Sequence, residues 1–217
     1  MRIIFFILFL LPFLSYGQLK NKIDSDNHKQ GEWTQTYTNG SIKYEGQFKD
    51  GKAYGIFYYY YPTGQLKAKR NFFNDGKAST AHIFYKNGHI KASGIYVDEM
   101  KDSTWNYYSK DSTLLLKEQY SNGLFHGFVK TYYPNGLLYQ IQFWVNGIKD
   151  GKFVQFFDNG NVKVELVYKK GKRNGPVEAF YIDGSKSYEG FYNKDLRKGV
   201  WKYFSKTGET DTIIKYK

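Results

Sequence analysis

The chain has no cysteine, four prolines, two methionines and four histidines. Without cysteine it can form no disulfide and no thiolate-ligated metal site, and no lipid can be attached at an N-terminal cysteine. The histidines (His28, His82, His89, His126) have no spacing suited to a metal or a catalytic triad. His126 precedes a repeat-start glycine and reads as a loop residue. No segment holds an apolar face at helical spacing for more than about two turns, so helices are not expected. The acids Glu45, Glu165 and Glu189 recur at one repeat position. Whole hairpins apart, they are separated by roughly 10 Å or more, and read as solvated strand charges rather than a catalytic pair. No glycine opens a helix that could cradle a phosphate. The expectation is a protein with no enzymatic activity, no metal and no cofactor.

Long apolar runs are also scarce. The longest, Ile3 to Leu14, is about 12 residues, where a membrane-spanning helix needs about 20. With Arg2 before it and Ser15-Tyr16-Gly17 after it, residues 1–17 read as a signal peptide cut before Gln18. The mature chain is therefore expected outside the cytoplasm, in a periplasm, cell envelope or extracellular medium. The net charge of +12 falls to +11 once the leader, whose only charged residue is Arg2, is gone. Such a balance either favours anionic partners or keeps a sticky sheet soluble and its edges blunt. Residues 18–30 form a polar lead-in.

What the chain has in abundance is aromatic side chains: 22 tyrosines, 18 phenylalanines and 4 tryptophans. They recur with a period. Gly31, Gly55, Ser79, Ser103, Gly127, Gly151, Gly175 and Gly199 are each 24 residues apart, and a spacing of this size marks a repeat array. Two residues after each start stands an apolar residue, from Trp33 and Phe57 to Trp201. Nine after it stands glycine, or Ser112 in the fourth unit. Seventeen after it stands an aromatic in all eight copies, Phe48, Phe72, Tyr96, Tyr120, Trp144, Tyr168, Tyr192 and Tyr216.

Each unit has two runs of alternating character around a turn, as in Ile42, Tyr44, Gly46 and Phe48 against Lys43, Glu45, Gln47 and Lys49. That period of two predicts half-buried antiparallel strands. Asn-Gly favours a two-residue type I′ turn. Yet Pro62 and Pro134 would then occupy ladder positions that need an N–H. A three-residue loop puts proline second in a type I turn and glycine at a left-handed bulge, and this is the loop expected. Its register sets Tyr132 across from Leu138 and Phe156 across from Val162. Tyr60, Phe84, Tyr108, Tyr132, Phe156, Phe180 and Phe204 then share a face with the aliphatic and aromatic return positions. Trp33, Phe57, Trp105, Phe153 and Trp201 fall on the other, unless a bend near each unit's start turns them inward. The two-residue alternative would place Trp33 across from Gly46. Between units, loops of four to six residues such as Asp50 to Tyr54 are expected. The predicted fold is all-β: residues 31–217 form an elongated, single, meandering antiparallel sheet of about eight 24-residue hairpins. About fifteen or sixteen strands would extend on the order of 75 Å.

The segment Tyr44-Glu45-Gly46-Gln47-Phe48-Lys49-Asp50-Gly51-Lys52-Ala53-Tyr54-Gly55-Ile56-Phe57 resembles the MORN (membrane occupation and recognition nexus) repeat. It is similar in particular to the bacterial variant in which Asn-Gly-x-Leu precedes Tyr-Glu-Gly. Tyr188 to Tyr192 followed by Gly199 to Trp201, and Gly123 to Gly127, repeat the pattern. The resemblance implies hairpin arrays acting as scaffolds or binding surfaces rather than catalysts, and members of the variant are often labelled antitoxin-like. This chain departs in its period, 24 rather than about 23, and in lacking the Gly-x-Gly pair.

With no helix to cover a second face, part of an aromatic ladder is expected at the surface, interleaved with Lys43, Lys67, Lys91 and Lys163. The candidate binding surface is the row Tyr60, Phe84, Tyr108, Tyr132, Phe156, Phe180 and Phe204. A second candidate is a basic loop ridge of Lys52, Lys149, Lys172, Arg173, Arg197 and Lys198. The leading expectation is a non-catalytic, exported scaffold binding an envelope protein or a second copy of itself, in part by strand addition. A glycan or peptidoglycan surface read by exposed rings, and anionic lipid on the basic ridge, are the alternatives. Export argues against nucleic acid.

Overall fold

The computed structural model describes residues 20–217; the expected signal peptide lies outside them. Eight hairpins follow one another. A short β1 (Lys22–Ile23) precedes the first, β2 (Lys29–Thr36) and β3 (Ile42–Lys49). Next come β4 (Lys52–Tyr60) with β5 (Leu66–Phe73), β6 (Ala78–Phe84) with β7 (Ile90–Val97), and β8 (Met100–Tyr108) with β9 (Leu114–Ser121). The fifth hairpin has a split outbound strand, β10 (Leu124–Phe125) and β11 (Gly127–Tyr132), returning as β12 (Leu138–Val145). The last three are β13 (Ile148–Phe156) with β14 (Val162–Lys169), β15 (Lys172–Phe180) with β16 (Lys186–Asn193), and β17 (Leu196–Phe204) with β18 (Thr210–Tyr216). Each strand pairs antiparallel with its neighbour in sequence, β9 meeting both β10 and β11. The result is one open, meandering, all-β sheet, as the repeat pattern predicts.

The turn inside each hairpin is the three-residue loop. In the fifth unit Tyr133 N–H donates to the Leu137 carbonyl (2.8 Å) and Gly136 N–H to the Tyr133 carbonyl (2.9 Å). Pro134 thus stands second in a type I turn, and Gly136, at φ +84°, closes it. The same bond pair recurs in all eight units, from Tyr37/Ser41 to Ser205/Glu209. The register at the loop is as expected: Tyr132 faces Leu138 and Phe156 faces Val162.

One step further on, the register corrects the expected assignment of faces. Lys43, Lys67, Lys91, Leu115, Tyr139, Lys163, Ser187 and Asp211 each have no partner, because the pairing skips them. This bulge gives the return strand one extra residue and reverses its alternation. Beyond it Trp33 does face Gly46, the pairing expected of the shorter loop. The Tyr60 row therefore shares a face with its immediate partners, such as Leu66 and Leu138, but not with the aromatics of the Tyr168 row. Those lie with Trp33, Phe57, Trp105, Phe153 and Trp201.

The links between units also differ from expectation. They are two-residue turns, with strands resuming at once: Asp50-Gly51, Asp98-Glu99, Asn122-Gly123, Asn146-Gly147, Lys170-Gly171 and Lys194-Asp195 all have positive φ at both residues. That is the type I′ geometry, which suits right-twisted strands. Extra residues are absorbed at each unit's start, where Gly31, Gly55, Ser103, Gly127, Gly151, Gly175 and Gly199 take positive φ. Only glycine does so without steric cost. Ser79 is spared because its link is longer, running from Asn74 to Lys77 between the paired Phe73 and Ala78.

The core is one side of the sheet. The residue two past each start, here termed the anchor, lies over the residue fifteen past the previous start, its seat. A Cβ added to Gly46, Gly94 or Gly190 would come within 2.4, 2.3 and 2.3 Å of the Phe57, Trp105 and Trp201 rings respectively. Glycine at the seat lets a flat ring lie directly on backbone. Where the seat is larger the anchor shrinks: Arg70 meets Ala81 and Leu166 meets Val177. Gln142 with Phe153 is the exception, and Gln142 is 1% exposed. The aromatics seventeen past each start complete the layer, with Tyr96 edge-on to Trp105 (4.8 Å) and Tyr192 edge-on to Trp201 (5.1 Å).

Burial raises the hydroxyl pKa of Tyr59, Tyr96, Tyr168 and Tyr188. Burial, with Glu45 alongside, pushes Tyr60 up to about 12. The folded chain thus keeps protons that the unfolded chain releases above pH ~10. Stability should hold level up to that pH and fall as pH rises further. Thermal melts at pH 8, 9.5 and 11 check this: the midpoint should drop only at the last. A flat profile would mean that the tyrosines are not buried in this way.

Candidate docking face

Most neighbouring hairpins are tied together by side chains that repeat. At the turn end, Tyr37, Tyr61, Tyr85, Tyr133 and Tyr181 donate their hydroxyls to the carbonyls of Tyr60, Phe84, Tyr108, Phe156 and Phe204, at 2.8–3.0 Å. Asn39, Asn87, Asn135 and Asn159 donate from Nδ2 to a carbonyl in the next turn. At the opposite end Asp102, Asp150 and Asn174 accept the N–H of Asn122, Lys170 and Lys194. His126 belongs to that row, its Nδ1 3.1 Å from Asn146 Oδ1. Tyr133→Phe should cost about 1 kcal/mol, the net worth of one such bond, read as a shift in urea midpoint. The same change at Tyr139, whose hydroxyl accepts a bond from Gln155 on the surface, should cost less.

The aromatic side of the sheet is closed by the protein's own cations. Lys29 lies over Trp33 (4.5 Å) and Phe48 (4.8 Å), and Lys101 over Trp105 (5.2 Å). Three members of the expected basic ridge belong to this row. Lys149 covers Tyr168 (5.1 Å), Arg173 covers Tyr192 (4.2 Å), and Arg197 covers Trp201 (4.5 Å) while bonding the Tyr203 and Tyr216 hydroxyls. The other three, Lys52, Lys172 and Lys198, are solvent-exposed, with Lys52 3.5 Å from Asp75. The ridge is thus divided between ring-capping and solvated positions. Lys67, Lys91 and Lys163, pushed out by the bulge, cover Tyr61, Tyr85 and Phe157.

The other side has sparser cover, with Lys69 over Tyr58 (5.9 Å) and Lys130 over Phe128 (5.8 Å). The row Tyr60, Phe84, Tyr108, Tyr132, Phe156, Phe180 and Phe204 lies on it, all half-buried, and Tyr60 donates to Glu45 on the same side (2.6 Å). Next to the unit starts runs a second row, the residues one and sixteen past each start. It begins mostly polar: Glu32, Gln47, Asn71, Thr80, Thr104 and Gln119 are interrupted by Ile56 and Ile95. From Phe128 it turns apolar. Phe128 is edge-on to Phe143 (5.0 Å), Val167 and Pro176 follow, and Phe191 and Val200 are 46% and 48% exposed. Carboxylates between them are neutralised: Lys152 pairs with Glu165 (2.7 Å), Lys186 with Glu178 and Glu189 (2.7 and 2.8 Å). Sequence reasoning missed the return members Phe143, Val167 and Phe191 because the bulge hides their parity.

The MORN repeat variant family model matches residues 29–50, 53–74 and 149–170, which are the first, second and sixth hairpins. Three of the eight hairpins match the MORN variant repeat. No curated protein matches it significantly. Among solved structures, a chain of the "Crystal Structure of TcdB2-TccC3-Cdc42" is similar at 12% identity and a TM-score of 0.23. The match covers 86% of this chain and 13% of that one. The other five hairpins close the same turns.

Proposed function

We propose that this MORN array is an exported, non-catalytic scaffold that holds an envelope protein on its more open face, from Phe128 to Val200. The carrying observation is the contrast between the sides of one sheet. One is lined by the chain's own rings and largely capped by its cations; the other exposes an apolar row, interrupted at Lys152, only in its C-terminal half. Apolar surface framed by satisfied charges is the composition of a protein-binding patch. The half-buried row from Tyr60 to Phe204 borders it on the same face. Self-association through the same face is the second reading, since an isologous contact needs only one such patch.

The test is capture from an envelope fraction by wild-type chain, by Phe191→Ser/Val200→Ser, and by the control Thr80→Ser/Thr104→Ser in the polar half. Partner recovery should fall at least about tenfold in the first variant and stay unchanged in the second, with equal melting temperatures. Equal recovery by both would overturn the assignment of the face. Sedimentation of the purified protein separates the self-association reading, and N-terminal sequencing of secreted chain should begin at Gln18.

A further inference from the structure

The aromatic side is notched at the third unit. Its anchor is Ala81 (1% exposed) where the other units carry Phe, Trp or Val, and across the sheet Ala68 stands where Tyr44 and Tyr188 occupy the equivalent position. The seat of Ala81 is Arg70. Its guanidinium lies between the Phe72 ring (4.5 Å) and the Tyr96 ring (4.8 Å). Nε donates to Ser79 Oγ (2.9 Å), and the two terminal nitrogens donate to Glu99 (2.9 and 3.0 Å). The missing rings leave a cavity of about 440 Å³ floored by Ala68, Ala81 and Ile83, with Tyr59 and Tyr96 as walls. Lys43 and Lys67 stand at its rim, and neither is in an ion pair among the described residues.

We propose that this notch binds a sugar ring bearing a carboxylate, as found in an acidic glycan. The volume falls within the range of small-molecule sites, about 300–1,000 Å³. Flat tyrosine rings and an aliphatic floor suit the C–H face of a pyranose, and leave its hydroxyl edge to polar groups. Glu99, fixed by Arg70, offers carboxylate oxygens to those hydroxyls. The guanidinium is already engaged with Glu99 and Ser79, so the carboxylate falls to the two lysines at the rim. Third-unit irregularities converge here: the longer link, the serine start, the alanine anchor and the arginine seat.

The test is titration of the full chain with methyl β-glucuronide, methyl β-glucoside and benzoate, followed by the amide NMR shifts of Ala68, Ala81 and Ile83. The glucuronide should bind about tenfold more tightly than either other probe, and Lys43→Ala/Lys67→Ala should remove that preference. Arg70→Gly/Ala81→Trp installs the glycine–tryptophan pair seen at Gly94 and Trp105. It should fill the notch and abolish binding without lowering the melting temperature. Ala68→Tyr, which supplies the tyrosine that the first and seventh units carry there, serves the same purpose if the first variant does not fold. No shift at millimolar glucuronide, equal binding of glucoside or benzoate, or binding retained in a folded, filled variant would each overturn the proposal.

Discussion

Replacing Trp105 by alanine should remove about 3–5 kcal/mol of stability, the usual cost of emptying a buried indole site. The ring is 0% exposed. It lies on the Gly94 backbone, meets Tyr96 edge-on at 4.8 Å, donates its N–H to the Ile95 carbonyl at 3.0 Å and carries Lys101 on its face. Alanine leaves all of these without a partner, and glycine at the seat gives the site nothing with which to collapse. Since each hairpin rests on its neighbours, the damage should be local. Hydrogen exchange in the variant should open the third to fifth hairpins while the seventh and eighth, packed around Trp201, keep their protection. Uniform loss along the chain would mean that the array unfolds as a single block.

Gly94→Val is expected to cost about 3 kcal/mol or more, the upper range for overpacking. A Cβ there meets Trp105 Cδ2 at 2.3 Å, and the obstacle is a fixed ring rather than the tip of a flexible chain. The informative result comes from the pair. In a Trp105→Ala background the valine should be tolerated, because a branched seat under a small anchor already exists as Leu166 under Val177. The cycle should give a coupling energy of about 2–3 kcal/mol, well above the error expected for independent sites. Additive effects of the two changes would remove the exchange of volume between seat and anchor from the account.

The parts of this fold that depend on one residue at a time were readable from the chain. The turn glycines and the prolines at Pro62 and Pro134 dictated the three-residue loop, because proline cannot donate and glycine alone takes positive φ freely. The bulge was not readable. Lys43, Leu115, Tyr139, Ser187 and Asp211 share no chemistry; what they share is a place where the backbone relieves twist between a tight turn and a straight strand. Losing it misassigned the alternation of every return strand. Asn-Gly was ambiguous for a related reason. Asn135-Gly136 closes a three-residue loop and Asn146-Gly147 a two-residue one, a difference set by flanking pairing rather than by the dipeptide. The seat and anchor relation was present in Gly46/Phe57, Gly94/Trp105 and Gly190/Trp201. It runs between units, though, and a repeat aligned on itself shows only what each unit has in common. The binding candidates fared similarly. Tyr60 to Phe204 lie together as a row, while Phe143, Val167 and Phe191 beside them depended on the hidden parity. Lys149, Arg173 and Arg197 looked like a surface ridge because sequence gives no hint that a long cation will fold back over a ring.

The most direct test of repeat-to-repeat seating is to excise whole hairpins and compare matched with mismatched junctions. Removing residues 55–102 takes out two repeats and brings Gly46 under Trp105; removing only residues 79–102 takes out one and brings Arg70 under it. Urea unfolding followed by circular dichroism should show the larger deletion folded with a sharp transition, and the smaller deletion less stable despite retaining more of the chain. If the single-repeat deletion proves the more stable of the two, the fit of ring to seat does not hold this sheet together.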